Sequence, residues 1–61
     1  MKNPVYQPRD YVTVTLLSLN YKGRVDRSIW DGFEWVYAVE YADDKGDLQR
    51  QEFYEDELGR A

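Results

Sequence analysis

Trp30, Phe33, Trp35 and Tyr41 lie within twelve positions of one another, beside Asp31 and Glu34, and this grouping is the chain's best case for ligand chemistry. Aromatic faces attract cations, so four rings with adjacent carboxylates could form a cage for a methylated ammonium. The simpler use of the same rings is core packing plus ordinary exposure. Two tryptophans, six tyrosines and two phenylalanines in 61 residues exceed what one small core needs. Surplus apolar surface of that kind usually binds something. An oligomer interface is its commoner destination, and Val36 and Ala38, on the outward parity of the most apolar strand, are the candidate interface positions.

The charged clusters are less specific. Lys22, Arg24 and Arg27 could touch a phosphate backbone, but Asp26 interleaves them and Asp31 follows, which describes a solvated mixed-charge face. The acidic run from Glu52 to Glu57 could mimic nucleic acid towards a basic partner, although a solvated turn explains it equally. Glu55 and Glu57 could act as an acid–base pair only inside a cavity that separates their pKa values, and a chain this short offers one only between subunits. Asp43, Asp44 and Asp47 lack the glutamate and spacing of a calcium loop.

Composition narrows the rest. The chain has no cysteine and no histidine, so disulfides, thiolate metal sites and the usual zinc ligand are excluded and no metal site is expected. Twelve acidic against eight basic residues give a net charge of −4, which opposes nucleic acid and anionic membranes at long range. There is no apolar run near the roughly 18 residues of a membrane span, and Met1-Lys2-Asn3-Pro4 leads into no signal-type apolar segment. A soluble, cytoplasmic setting is expected. A domain of this size buries only about 60% of its unfolded surface, and with no other staple at hand self-association would help stabilise it.

These residues need a scaffold, and the pattern predicts an all-β one. Pro4 and Pro8 make residues 1–10 an extended arm that either follows the barrel through Val5 and Tyr6 or stays disordered. The domain proper is residues 11–61. Tyr11 to Leu19 alternates as a first strand, with the alternation breaking at Leu16-Leu17 and a loop expected from Asn20 to Gly23. The central hairpin follows. Its outgoing strand turns Val25 and Ile29 inward, with a β-bulge expected at Arg27-Ser28 to release the arginine from the core. After a turn at Asp31-Gly32, the return strand places Trp35, Tyr37, Val39 and Tyr41 inward and Val36, Ala38 and Glu40 outward. Ala42 to Asp47 is a turn, Leu48 to Phe53 a further strand, and Tyr54 to Leu58 a single 3₁₀ turn that delivers Leu58 to the core before a last short strand. That succession is the order of a small SH3-like barrel of about five antiparallel strands, with a 3₁₀ turn before the last.

The succession Asp10-x-Val12, Tyr21-x-Gly23-x-Val25, Tyr37-Ala38-Val39-Glu40, Gln51-x-Phe53 and Leu58 resembles the plasmid-borne type II dihydrofolate reductases over roughly residues 10 to 60. The resemblance implies four barrels around a central pore in which NADPH and dihydrofolate bind between subunits. The pore strand, valine-glutamine-isoleucine-tyrosine in that family, falls here on Arg50-Gln51-Glu52-Phe53, so Gln51 and Phe53 are the pore-strand matches. Glu52 replaces an apolar residue with an anion, and the family's first-strand lysine falls near Thr13 to Thr15, where this chain has no cation. Genes of that family often travel as mobile, integron-type cassettes, and a cassette-encoded protein is the matching expectation.

The sequence therefore predicts a small binding or interaction module that self-associates, with a protein or peptide as further partner and no cofactor. The alternative is an oligomeric NADPH-dependent reductase.

Overall fold

The computed structural model of the chain describes residues 3–60, in the order β1 (Tyr11–Leu16), β2 (Leu19–Trp30), β3 (Trp35–Ala42), β4 (Leu48–Tyr54), a 3₁₀ turn (Glu55–Glu57) and β5 (Leu58–Arg60). All five strands lie in one antiparallel sheet ordered β4-β3-β2-β1-β5. Strands β1 to β4 form a meander and β5 returns to pair with β1, which makes the molecule a small SH3-like barrel whose ladder ends at β4 and β5.

The first turn departs from the sequence expectation. Leu16 pairs with Leu19, so Leu17 and Ser18 alone connect β1 to β2, and both take left-handed backbone at φ 50° and 68°. Two consecutive left-handed residues match the twist of the flanking strands, as in a type I′ hairpin. Leu19 to Lys22 are thus the start of β2, opposite Leu16 to Thr13, and not a loop. The break in alternation at Leu16-Leu17 marks the turn itself.

The bulge is present one residue earlier than expected. Val25 faces Val39 and Arg27 faces Ala38, which leaves Asp26 as the extra residue. Arg27 leaves the core as anticipated, but Ile29 goes with it: paired with Val36, it lies on the outer face, while Ser28 takes the inward place opposite Tyr37. One extra residue after Val25 reverses the alternation from there on, so Ser28 and not Ile29 shares the face of Val25.

Inside, Val12, Val14, Val25, Tyr37, Val39 and Phe53 are fully buried. Gly23 makes the tight curl of β2 possible. A Cβ there would lie 2.7 Å from Val39 Cγ1 and 2.9 Å from the Glu40 carbonyl, closer than packed carbons approach. The 3₁₀ turn carries Leu58 into the core as the sequence predicts, its geometry fixed by Glu57 accepting from the Tyr54 N–H at 2.8 Å.

The described part of the arm packs along the barrel. Tyr6 is buried edge-on against Tyr37, with ring centroids 5.3 Å apart, and its hydroxyl donates to the Leu58 carbonyl at 3.3 Å. Arg9 N–H donates to the Val25 carbonyl and Val25 N–H to the Asp10 carbonyl, at 2.8 and 2.9 Å. The arm thus contributes a core residue to the domain.

Candidate binding surface

The register assigns each outward side chain to a cross-strand row. Ile29, Val36 and Tyr54 form an apolar row across β2, β3 and β4; Arg27, Ala38 and Glu52 form the next; Tyr11, Arg24, Glu40 and Arg50 form a third that spans four strands. Charge alternates along the third row from Arg24 through Glu40 to Arg50. Arg24 also lies over the Tyr11 ring at 5.6 Å, and Asp26 is ion-paired with both Arg27 and Arg50. The basic residues of β2 are therefore interleaved with carboxylates, which weakens any continuous track for a phosphate backbone.

Two grooves flank Arg24 and Glu40. One of about 440 Å³ lies between Pro8-Arg9 of the arm and the bulge at Val25-Asp26. The other, about 330 Å³, is bordered by Tyr11 and Lys22 on one side and Ala42 and Leu48 on the other. Tyr11 and Leu48 are 68% and 75% exposed, an unusual state for large apolar side chains facing each other across a cleft.

The four aromatic candidates are divided by the fold. Trp30 and Trp35 are opposite one another at the end of the β2–β3 hairpin, with centroids 5.3 Å apart at 63°. Phe33 is at the loop tip and 90% exposed. Tyr41 lies six residues further along β3, about 20 Å away at strand rise. It is buried there against Phe53 and Tyr21, at 6.1 and 5.6 Å. Asp31 Oδ1 accepts from both Phe33 and Glu34 N–H at 2.8 Å, so its charge caps the loop, and those donors hold its carboxyl below the usual range.

Of the pore-strand matches, Phe53 is buried in the core while Gln51 is exposed, its Oε1 accepting from the Tyr41 hydroxyl at 3.4 Å. Val36 is half-buried on the outer face. Ala38 beside it is only 3% exposed and offers little surface.

Carboxylates that could have done chemistry are structural in this fold. Glu55 accepts a hydrogen bond from the Tyr37 hydroxyl at 2.8 Å, and the same oxygen of Tyr37 accepts from Val5 N–H at 3.0 Å. Burial, with Glu55 second, pushes the Tyr37 phenol above its ordinary value. Asp43 Oδ1 accepts from Lys45 and Asp47 N–H at 2.9 Å, and its other oxygen takes the Gln49 amide, which holds it low. Among the described residues there is no group of side chains arranged to hold a metal ion, and no helix is long and apolar enough to cross a membrane.

Sequence reasoning missed Tyr11, Leu48, Arg50 and Tyr54 as surface partners, because only the β1–β2 and β3–β4 registers place them beside Arg24, Ala42, Glu40 and Val36. No family model, curated protein or solved structure matches the chain.

Proposed function

We propose that this protein is a small interaction module that binds a protein or peptide surface across the outer face of its sheet and associates with further copies of itself. The observation that carries this reading is the groove between the exposed Tyr11 and Leu48, which joins apolar walls to the paired charges of Arg24 and Glu40. Such a cleft suits a segment offering one apolar side chain and charges of both signs. A cytoplasmic setting belongs to the same reading, since the chain has no cysteine for an oxidising compartment to use. The reductase alternative asks Gln51 and Phe53 to face a shared pore, and only Gln51 reaches the surface of the single chain.

The test is the mass in solution by light scattering on a sizing column, across micromolar concentrations at neutral pH. A dimer or larger assembly that grows with concentration is expected. A monomer throughout overturns self-association, and it overturns the pore alternative too, because one barrel of this size cannot enclose a cofactor.

A further inference from the structure

We infer that β4 is a self-complementary edge through which two copies pair antiparallel about a two-fold axis at Gln51, forming one sheet across the dimer. The inference rests on the self-association reading above and specifies its surface.

The two sheet edges are unequal. β5 has three residues, and the arm reaches it through the Tyr6 hydroxyl. β4 has seven, all in unbroken register with β3 and, apart from Phe53, all exposed. It contains no proline and no bulge, two of the devices that keep an edge from acting as a template, and its two charged residues, Arg50 and Glu52, are of opposite sign.

The sequence of that edge, Leu-Gln-Arg-Gln-Glu-Phe-Tyr, then selects a register. For outer faces to meet outer faces, the axis must pass through a residue and not between two. An axis at Arg50 sets two guanidinium groups opposite each other, and one at Glu52 sets two carboxylates opposite. An axis at Gln51 puts Arg50 against the partner's Glu52, Leu48 against the partner's Tyr54, and the two Gln51 residues together. Axes farther out shorten the paired segment.

Only the Gln51 register continues the rows already present in each barrel. The alternating charges Arg24, Glu40 and Arg50 gain a carboxylate as fourth member, and the apolar row Ile29, Val36 and Tyr54 runs on to a leucine. Cross-strand pairs of these kinds are the stabilising units of sheets. Glu52 has no ion-pair partner among the described residues, whereas Arg50 reaches back to Asp26. That exposed pair contributes little and exchanges readily for a better one. Because Glu57 holds the Tyr54 N–H, the new ladder is centred on the Arg50–Glu52 pairs, with Leu48 and Tyr54 adding side-chain contact at its ends.

The absence of native cysteine makes single-cysteine variants clean probes. Under mild oxidation Gln51→Cys should form a covalent dimer, since directly opposed strand residues have Cα atoms about 4.5–5.5 Å apart, within disulfide reach. Gln49→Cys should not, its copies lying about 13 Å apart along the paired strands. In sedimentation equilibrium, Arg50→Glu should weaken the dimer at least about tenfold by setting carboxylates face to face. Adding Glu52→Arg should restore it to within about threefold, because the swapped edge is again self-complementary. A dimer that persists with Gln51→Cys uncrosslinked, or with the charge variants without effect, overturns the β4 edge and leaves self-association standing. A monomer at every concentration overturns both. Should Arg50→Glu fold poorly, the cysteine pair decides alone.

Discussion

The Tyr37 hydroxyl and the Glu55 carboxylate meet at 2.8 Å, and this contact ties the 3₁₀ turn to the centre of β3 while the same hydroxyl oxygen accepts the Val5 N–H of the arm. One phenol therefore joins three segments that are far apart in sequence. It lies on a fully buried ring, so its partners have little water to replace it.

Tyr37→Phe keeps the ring and removes the hydroxyl. It should destabilise the barrel by about 1–3 kcal/mol, because the Glu55 carboxylate and the Val5 amide each lose a partner. Denaturant unfolding measures the loss. Hydrogen exchange should show the Val5 amide opening faster, whereas the Val12 and Val14 amides should slow or quicken only with global stability.

The same contact sets an alkaline limit. The Tyr37 pKa is raised in the folded state above its ordinary value of 10.0, first by burial and then by Glu55. The unfolded chain thus releases this proton at lower pH than the folded one. Its contribution is fully present below pH 10 and is lost as pH rises through the raised value. Unfolding free energies measured between pH 9 and 11.5 should fall for the natural chain and fall less steeply for Tyr37→Phe.

Gly23 offers a packing prediction. An added methyl at that site meets Val39 Cγ1 at 2.7 Å and a backbone oxygen at 2.9 Å, and the backbone cannot yield as a flexible side chain would. Gly23→Ala should cost about 1–3 kcal/mol, read as a lower urea midpoint with unchanged slope. An unchanged midpoint would mean that β2 and β3 separate there without penalty.

What was legible in the chain followed from side-chain period. The strand Trp35–Ala42, expected to end at Tyr41, the turn at Asp31-Gly32 and the delivery of Leu58 by a 3₁₀ turn are all written in alternation and turn chemistry. The Leu17-Ser18 turn was not, because neither residue favours left-handed backbone; the strands impose it. Nor could sequence place the bulge to the residue, since Asp26, Arg27 and Ser28 all tolerate exposure; and the inward place expected for Ile29 belongs to Ser28, because any single extra residue after Val25 reverses the alternation before Ile29 is reached. The surface rows depend on register, which no local pattern in β4 specifies.

That imposed turn predicts a gain. Leu17 is 97% exposed and makes no packing contribution, yet its backbone is held in a conformation costly for leucine. Leu17→Asn with Ser18→Gly supplies the pair this turn type prefers and should stabilise the domain by about 1 kcal/mol. For a domain this small that is a rise of about 4–8 °C in melting temperature.

Acid should weaken the hairpin turns. Asp31 and Asp43 both lie below their ordinary value of 3.8, Asp31 through the Glu34 and Phe33 amides and Asp43 first through Gln49 and then the Asp47 amide. For a carboxylate depressed on folding, the stabilisation is present above the unfolded value and is lost as pH falls through the folded one. Stability should therefore decline below about pH 4. Asp31→Asn keeps an oxygen for both amides but not the charge, so it should flatten this decline while starting slightly lower at neutral pH, where the contribution that acid removes is already missing. Asp31→Ala removes the acceptor and should lower the melting temperature at neutral pH as well. If both variants keep the natural melting temperature at pH 7, the loop is held by Gly32 and the tryptophan pair at its base, and the carboxylate does not fix it.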